Sequence, residues 1–286
     1  MIVEDIAQYE PDIMCLQEVD NYDEFYKESF SKLGHATKQH GCMIGYKATK
    51  FERAEYATLD YDSDTLAPAT QQTGNIAQLI GLRFVDLPKG LVIGNTHLYW
   101  RPQSFYERMR QTAIYMRRLD EFKSKLGSVQ DGRQWSSLLI GGMYLSDFNT
   151  APIDATYAAI QQNPLTAAQL ETLHLSRRSF GGEESNPDET GCVGDSEETS
   201  LMSVSDLMEL FTEGKKWRSV YSQYSDVGKA ASDVYGEPKF THYAAMYCGT
   251  LDYIFADSDK HQVLELLEMP EVDKNFADEI EFFAQK

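Results

Sequence analysis

Residues 11–19 read Pro-Asp-Ile-Met-Cys-Leu-Gln-Glu-Val, and they indicate most directly how the chain folds. The apolar run 13–16 is short, so it predicts a buried strand. The preceding residues 2–9 have helical spacing, and Pro11 ends that pattern. The strand stops at Gln17 and Glu18, and a glutamate that closes an apolar run is costly to bury without a partner. The stretch therefore predicts a helix and a buried strand that ends in a carboxylate.

The alternation of short apolar runs and amphipathic segments continues along the chain. It predicts one α/β domain over residues 1–286. An acidic segment at about 176–200, almost without apolar residues, predicts a solvated surface loop. Further strands are predicted at 42–46, 76–84, 91–96, 137–140 and 251–256, and further helices at 21–33, 104–126 and 154–162.

The composition excludes several classes of protein. With 42% hydrophobic and 25% charged residues in 286, the chain is typical of a globular domain, and disorder throughout is excluded. No apolar run approaches the length of a membrane span, and the start lacks the pattern of a signal peptide. Four widely spaced cysteines, without zinc spacing, predict reduced thiols in the cytoplasm or the nucleus.

The charge argues against one mode of nucleic-acid binding. Asp and Glu number 45 against 26 Lys and Arg, which gives a net charge of −19. A protein that coats DNA by neutralising many phosphates would be basic. An acidic enzyme can still act on RNA when a divalent metal and a few local cations meet the phosphate, so a nuclease is not excluded.

Polar residues follow several of the predicted strands. Glu18, His97 and Asp252 lie at strand ends, and Asp147 with Asn149 follows another strand. Active sites of α/β sheets gather where strand ends meet loops. Mg²⁺ takes one or two carboxylates and leaves positions for water and phosphate. Each residue taken alone is more often a cap, a turn or a core residue.

The residues of these motifs and their order along the chain resemble those of a known family. PDIMCLQEV, GNIAQLIGL, NTHLYW, DFNTAP and GTLDYIF together resemble the endonuclease/exonuclease/phosphatase superfamily. Within it the chain looks most like the Ccr4/Nocturnin/Angel group and its fungal Ngl-type RNA exonucleases. The resemblance implies a DNase I-like fold, a two-layered β-sandwich flanked by helices. It also implies metal-assisted hydrolysis of RNA from the 3′ end.

The resemblance also implies roles for single residues. Glu18 looks like the ligand of a Mg²⁺ ion, which Mn²⁺ could replace, and Asn75 and Arg110 resemble substrate-binding residues near the site. The catalytic residues it implies have four roles: phosphate contact for His97, orientation or deprotonation of water for Asp147, phosphate binding for Asn149 and orientation of a histidine for Asp252.

Three departures from the family pattern support a second reading. The family begins with a strand that carries an asparagine and ends with a strand and loop reading SDH. The present sequence shows neither, so the first and last strands are expected to be missing. His261 follows Asp252 too soon to replace the SDH histidine. Four extra residues, 143–146, also interrupt the GGDFN motif, and a misplacement of 1 Å can cost about a hundredfold in rate.

Two hypotheses of different classes result, and a third is weaker. The first is a Mg²⁺-dependent 3′–5′ exoribonuclease that acts on poly(A) or trims RNA 3′ ends, with a protein adaptor as a further partner and no membrane contact. The second is a catalytically impaired relative that binds RNA or protein. The third is a phosphatase or phosphodiesterase with a non-RNA substrate. Tyr99 and Trp100, directly after His97, are expected either to stack an RNA base or to pack on the neighbouring strand.

Overall fold

A computed structural model describes residues 2–19, 27–32, 35–39, 41–129, 132–141, 148–180, 200–227, 232–244, 247–257 and 260–267. Its first part is a small antiparallel sheet of the strands β1 (Ile13–Gln17), β2 (His35–Gln39) and β3 (Cys42–Lys47), in the order β1–β3–β2. Helix α1 (Ile2–Tyr9) precedes β1, and α2 (Lys27–Lys32) precedes β2. The helix predicted at 21–33 is thus confirmed over α2, and its other residues lie outside the described part of the chain.

A six-stranded sheet forms the centre of the molecule. Its order is β4–β5–β6–β7–β11–β8, and all neighbours are antiparallel except β6 and β7, which run parallel. A separate hairpin joins β9 and β10. The strands are β4 (Phe51–Asp60), β5 (Ile76–Phe84), β6 (Lys89–Thr96), β7 (Gln134–Gly141), β8 (Trp217–Ser219), β9 (His242–Ala244), β10 (Tyr247–Gly249) and β11 (Tyr253–Asp257).

The two sheets pack face to face through an apolar layer. Strand β3 contacts β5 and β6, and β1 contacts β6. Cys15 and Ile44 of the small sheet lie in one buried cluster with Ile80, Ile93 and Ile140 of the large sheet. Burial of such apolar side chains stabilises the fold by roughly 25 cal/mol per Å² removed from water. The predicted two-layered sandwich is therefore confirmed.

Helices cover the other face of the large sheet. The long helix α3 (Phe105–Gly127) contacts β4, β5, β6 and β7. Three helices pack around it: α4 (Ala155–Ile160), α5 (Ala167–Phe180) and α6 (Val204–Thr212). A 3-10 turn at Tyr221–Gln223 leads into the short α7 (Tyr224–Val227). Among the described residues, no helix is both long and apolar enough to cross a membrane.

The acidic loop does not begin at residue 176 as predicted, because helix α5 extends to Phe180. This helix continues through residues 176–180, because Ser176 is buried and its hydroxyl donates to the carbonyl of Gln103 at 2.8 Å. The same hydroxyl accepts the backbone N–H of Tyr106 at 3.1 Å, which ties α5 to the first turn of α3. Residues 181–199 lie outside the described residues, so the loop stays a prediction.

Candidate active site

One edge of the large sheet collects the residues that the motifs single out. Strand β5 begins there, β6 and β7 end there, and β11 begins there, because Thr96 is paired with both Ala77 and Gly141, and Gly141 with Tyr253. The segments that flank these strand ends carry the predicted residues Asn75, His97, Asn149 and Asp252. The fold thus brings together positions that are up to 177 residues apart in the sequence.

Glu18 reaches this edge from the small sheet. It follows the last residue of β1, and its backbone has a left-handed φ of 49°. A non-glycine residue in this region carries conformational strain, which is often found at functional sites. Its side chain is 54% exposed, and its Oε1 lies 3.9 Å from Nδ1 of His97. Both sheets therefore contribute a polar side chain to the same place.

A buried amide pair fixes the position of Glu18. Asn95 is fully buried on β6, and its amide group donates to the carbonyls of Leu16 and Met43 at 3.1 Å each. Its Oδ1 accepts a hydrogen bond from the side chain of Gln17. Asn95 thereby links β6 to both β1 and β3. Its side-chain contact on β1 is with Gln17, the residue directly before Glu18. The motifs do not single out Asn95 or Gln17.

Asn75 is hydrogen-bonded to the backbone of His97. Its Nδ2 donates to the carbonyl of His97 at 3.0 Å, while its buried Oδ1 has no hydrogen-bond partner among the described residues. The preceding turn is held by Asp62, whose carboxylate accepts from the backbone amides of Thr73 and Gly74 at 2.8 and 2.7 Å. A buried oxygen without a partner is costly, so this atom is suited to a ligand.

Burial sets the protonation state of His97. Loss of solvent lowers the pKa of this imidazole from its ordinary value of 6.5. The ring is therefore neutral at pH 7, with one N–H that can donate a hydrogen bond. Its backbone N–H bonds to the sulfur of Cys42, a thiol whose pKa burial raises to about 12. The thiol thus stays protonated and serves to hold His97 in place.

The segment after β7 places Asn149 between two neighbouring segments. Asn149 has a left-handed φ of 53°, and its Nδ2 donates to the carbonyl of Leu98 at 2.9 Å. The backbone N–H of Phe148 donates to the carbonyl of Leu251 at 2.8 Å, and the hydroxyl of Tyr253 donates to the carbonyl of Thr150 at 2.8 Å. Asp147 and the extra residues 143–146 lie outside the described residues.

Asp252 is buried at the start of β11. Its backbone N–H donates to the hydroxyl of Thr241 at 3.0 Å. Burial, reinforced by the charge of Asp252, raises the pKa of the Tyr221 phenol well above 10. His261 lies beyond the other end of β11, where it interacts with the backbone of Ser137 and with Asp257. The described positions thus keep His261 apart from Asp252, as the sequence predicts.

Arg110 does not make the substrate contact that was predicted for it, because its side chain is buried. The side chain is fully buried, and its guanidinium donates to the carbonyls of Tyr61 and Ala67 and to Glu107, the last at 3.1 Å. A guanidinium so enclosed cannot reach a substrate. Gln111, one residue on, accepts from the backbone N–H of Tyr99 at 2.9 Å and donates to the Thr73 hydroxyl at 3.2 Å. These α3 residues therefore support the loops that carry Asn75 and His97.

The described oxygens suit a hard divalent cation held by few protein ligands. Glu18 presents an exposed carboxylate at the edge, and Asn75 has a buried Oδ1 without a described partner. Mg²⁺ prefers oxygen ligands and keeps several waters, so it is commonly bound through one or two carboxylates. Among the described residues, no group of three His, Cys, Asp or Glu side chains could enclose a metal ion. The exposed carboxylate of Glu18 is thus a ligand of the kind that Mg²⁺ or Mn²⁺ takes.

Comparison with known proteins identifies proteins that are similar in sequence and in fold. No protein-family model matches the chain. The curated protein "Probable RNA exonuclease NGL3" from Saccharomyces cerevisiae is 31% identical over 91% of this chain and 59% of its own length. "Carbon catabolite repressor protein 4 homolog 4" from Arabidopsis thaliana is 26% identical over 94% of this chain and 62% of its own length. The chain thus spans about three fifths of the length of these relatives.

The fold also has a counterpart among solved structures. The crystal structure of ANGEL2, described as a 2′,3′-cyclic phosphatase, superimposes with a TM-score of 0.61 over 90% of this chain and 72% of its own. At 20% identity this likeness shows a shared fold alone. These two matches in sequence are to an RNA exonuclease and a Ccr4 homologue, and this match in fold is to an Angel protein. The chain is therefore related to the Ccr4/Nocturnin/Angel group of the endonuclease/exonuclease/phosphatase superfamily, as its motifs predict.

Proposed function

We propose that this protein is a Mg²⁺-dependent 3′–5′ exoribonuclease. The observation that carries the proposal is a single edge, at which Glu18 from the small sheet lies beside His97 and the neighbouring strand ends of the large sheet carry Asn75, Asn149 and Asp252. Acid–base and amide groups held on strand ends are suited to binding a phosphodiester and directing water at it. The name of the fungal relative, an RNA exonuclease, supports RNA as the substrate.

The described side chains bind and orient the scissile phosphate in this proposal. His97 is neutral at pH 7 because burial lowers its pKa, so it donates one hydrogen bond to a phosphate oxygen. Asn149 is held at this edge through its Nδ2, which donates to the Leu98 carbonyl, and would help to bind the phosphate there. Asn75 holds the backbone of His97 and thereby sets the direction of the imidazole.

Glu18 would hold the divalent cation through its exposed carboxylate. When bound, Mg²⁺ or Mn²⁺ would neutralise the charge that develops on the phosphate oxygens. Asp147, by its place in the DFN motif, would orient or deprotonate the attacking water. Water adds to phosphorus, the bond to the 3′ oxygen of the upstream nucleotide breaks, and the products are a 5′-mononucleotide and an RNA with a new 3′ hydroxyl.

The structure distinguishes the two aromatic residues that follow His97. Tyr99 is buried and its backbone N–H is bonded to Gln111, so it packs in the core. Trp100 is 64% exposed, and the guanidinium of Arg101 lies 6.0 Å from its ring centroid. An exposed tryptophan beside a cation is suited to stacking an RNA base. We therefore assign the proposed base contact to Trp100.

Substrate ends and sequence can be tested together. Four 5′-labelled RNAs, oligo(A) and a mixed sequence with either a 3′ hydroxyl or a 2′,3′-cyclic phosphate, are incubated with the protein and Mg²⁺. The proposal predicts stepwise shortening of the 3′-hydroxyl RNAs with release of 5′-mononucleotides, and faster shortening of oligo(A) if poly(A) is preferred.

Two other outcomes identify the alternative functions. Opening of the cyclic phosphate without shortening would assign the chain the activity named for ANGEL2. RNA that is bound by folded protein and left intact would contradict the nuclease and support a binding module. His97→Gln provides the control, because it removes the imidazole while the backbone bonds to Asn75 and Cys42 remain available.

A further inference from the structure

A groove beside the candidate active site has no role in the chemistry described above. It has a volume of about 570 Å³, within the range of sites that bind small molecules. One wall is the segment that starts at Ala151, two residues after Asn149, and a second wall includes Thr250, two residues before Asp252. The third wall is the loop 232–239. The groove is therefore continuous with the edge at which the phosphate is proposed to bind.

The loop that forms the third wall is ordered by its own hydrogen bonds. Oδ1 of Asp233 accepts from the backbone amides of Tyr235 and Glu237 at 2.8 and 3.0 Å. Gly236 has a φ of 82°, which a residue with a side chain adopts only under strain. The hydroxyl of Thr250 donates to the carbonyl of Pro238 and ties the loop to the strand that carries Asp252. The loop thus holds its side chains in fixed places.

The side chains that this ordered loop presents are apolar or aromatic. Val234 is 93% exposed and Tyr235 is 44% exposed, and Ile153 on the opposite wall is 65% exposed. The ring of Tyr235 packs edge-on against Tyr157, with 6.3 Å between centroids, so its orientation is set from behind. A cluster of exposed apolar side chains beside a polar site is typical of a binding surface.

The charge at the groove indicates what kind of molecule it binds. Lys239 lines the groove, is exposed, and has no ion-pair partner among the described residues. The acid in the same wall, Asp233, is engaged with backbone amides. An aromatic ring beside an unpaired ammonium is the combination that binds single-stranded nucleic acid, through base stacking and phosphate contact. In a chain with a net charge of −19, such a local cation is significant.

We propose that this groove binds a nucleotide of single-stranded RNA on the 5′ side of the scissile bond, with a base stacked on Tyr235 and a phosphate near Lys239. The inference rests on the proposed function, because that function places the scissile phosphate at the adjacent edge. The strand that stays bound after cleavage must leave the site along the surface. The walls of the groove end in highly exposed side chains such as Val234, so the strand can continue past it.

Binding measurements in EDTA test the groove without cleavage. The affinity of 5′-labelled pentaadenylate is measured by fluorescence anisotropy, and that of 5′-AMP, which occupies only the 3′ side, by calorimetry. Tyr235→Ala is expected to weaken pentaadenylate binding roughly five- to a hundredfold, the range for one stacked base. Binding of 5′-AMP should stay within twofold. Tyr235→Phe, which keeps the ring, should bind pentaadenylate like the wild type.

Two further variants separate stacking from loss of structure. Lys239→Ala, which leaves the packing intact, should reduce the slope of log affinity against log salt by about 0.7. Tyr9→Ala removes a tyrosine that is 55% exposed on α1, and it should change neither affinity. Equal weakening of pentaadenylate and 5′-AMP by Tyr235→Ala would overturn the assignment to the 5′ side. No weakening, or no pentaadenylate binding by the wild type, would overturn the groove itself.

The outcome for the groove is distinct from the outcome for the proposed function. RNA that is bound through Tyr235 but never shortened in Mg²⁺ would contradict the exonuclease and leave the groove standing. A different result is that the wild type and Tyr235→Ala both shorten RNA and bind pentaadenylate with the same affinity. It would support the exonuclease and contradict the proposed role of the groove.

Discussion

Glu237 is a carboxyl group in the core, and its burial raises its pKa from 4.5 to about 7. Its Oε1 accepts a hydrogen bond from the hydroxyl of Tyr157 at 2.6 Å. Between pH 4.5 and 7 the folded protein holds a proton that the unfolded chain releases. The stability from this site is therefore complete below pH 4.5 and lost as the pH rises through 7. The shift corresponds to a loss of about 3 kcal/mol.

A neutral side chain of the same shape should remove this pH dependence. Glu237→Gln keeps the acceptor for Tyr157 and cannot ionise. Urea unfolding should show it more stable than the wild type by about 2–3 kcal/mol at pH 8 and equal to it within about 1 kcal/mol at pH 4.5. Glu209→Gln, on the exposed face of α6, is the matched control and should change neither value. An equal difference at both pH values would contradict the account.

The residues of the site divide into those that motifs can find and those that they cannot. Glu18, Asn75, His97, Asn149 and Asp252 end or precede apolar runs, and their placement at one edge follows from strand order. In contrast, the supporting amides of Gln17 and Asn95 bond across 78 positions of sequence, so no local pattern shows the contact. Arg110 shows the converse error, since its motif position is near the site while its side chain faces the core.

At the scale of elements, the link between the two sheets depends on Asn95. Asn95→Leu keeps the number and branching of the side-chain heavy atoms but leaves the buried carbonyls of Leu16 and Met43 without this donor. We expect a loss of about 2–4 kcal/mol in the free energy of unfolding, since each buried polar group left unsatisfied costs about 1–3 kcal/mol. Urea unfolding measures it. Gln134→Leu, on the exposed start of β7, should cost less than about 0.5 kcal/mol.

Asn95→Leu should also weaken metal binding at the site, even where the variant is folded. Because Asn95 fixes the strand that ends at Glu18, Asn95→Leu should lower the affinity for Mn²⁺, measured by electron paramagnetic resonance at a temperature where the variant is folded. Wild-type affinity for Mn²⁺ in a folded Asn95→Leu protein would contradict the positioning role of Asn95.

The elements that the sequence reveals are the buried ones. The strands β1, β3, β5, β6, β7 and β11 are continuous apolar runs and are confirmed near the predicted positions. Strand β4 escapes prediction because it lies at the sheet edge, where most of its residues are at least partly exposed and its sequence FERAEYATLD reads as polar. Strands β8, β9 and β10 have three residues each, too few for a period to be recognised.

At the scale of the whole molecule, the net charge of −19 limits how the chain can hold RNA. Binding that depends on one cation and stacked bases displaces few counterions. A plot of log affinity for pentaadenylate against log salt in EDTA should therefore have a slope between about 0 and −1.5, equivalent to one or two phosphate contacts. A slope steeper than about −4 would require a basic surface outside the described residues and would contradict this account.

In our proposal, the edge between the two sheets is a metal-dependent exoribonuclease site. The most direct test follows a 5′-labelled oligo(A) with Mg²⁺ and with EDTA, for the wild type, Glu18→Gln and the control Glu52→Gln on the exposed part of β4. We expect stepwise 3′ shortening by the wild type and Glu52→Gln in Mg²⁺, none in EDTA, and shortening by Glu18→Gln that is slower by about a hundredfold or more. Shortening that survives EDTA, or that is as fast in Glu18→Gln as in the wild type, would contradict the proposal.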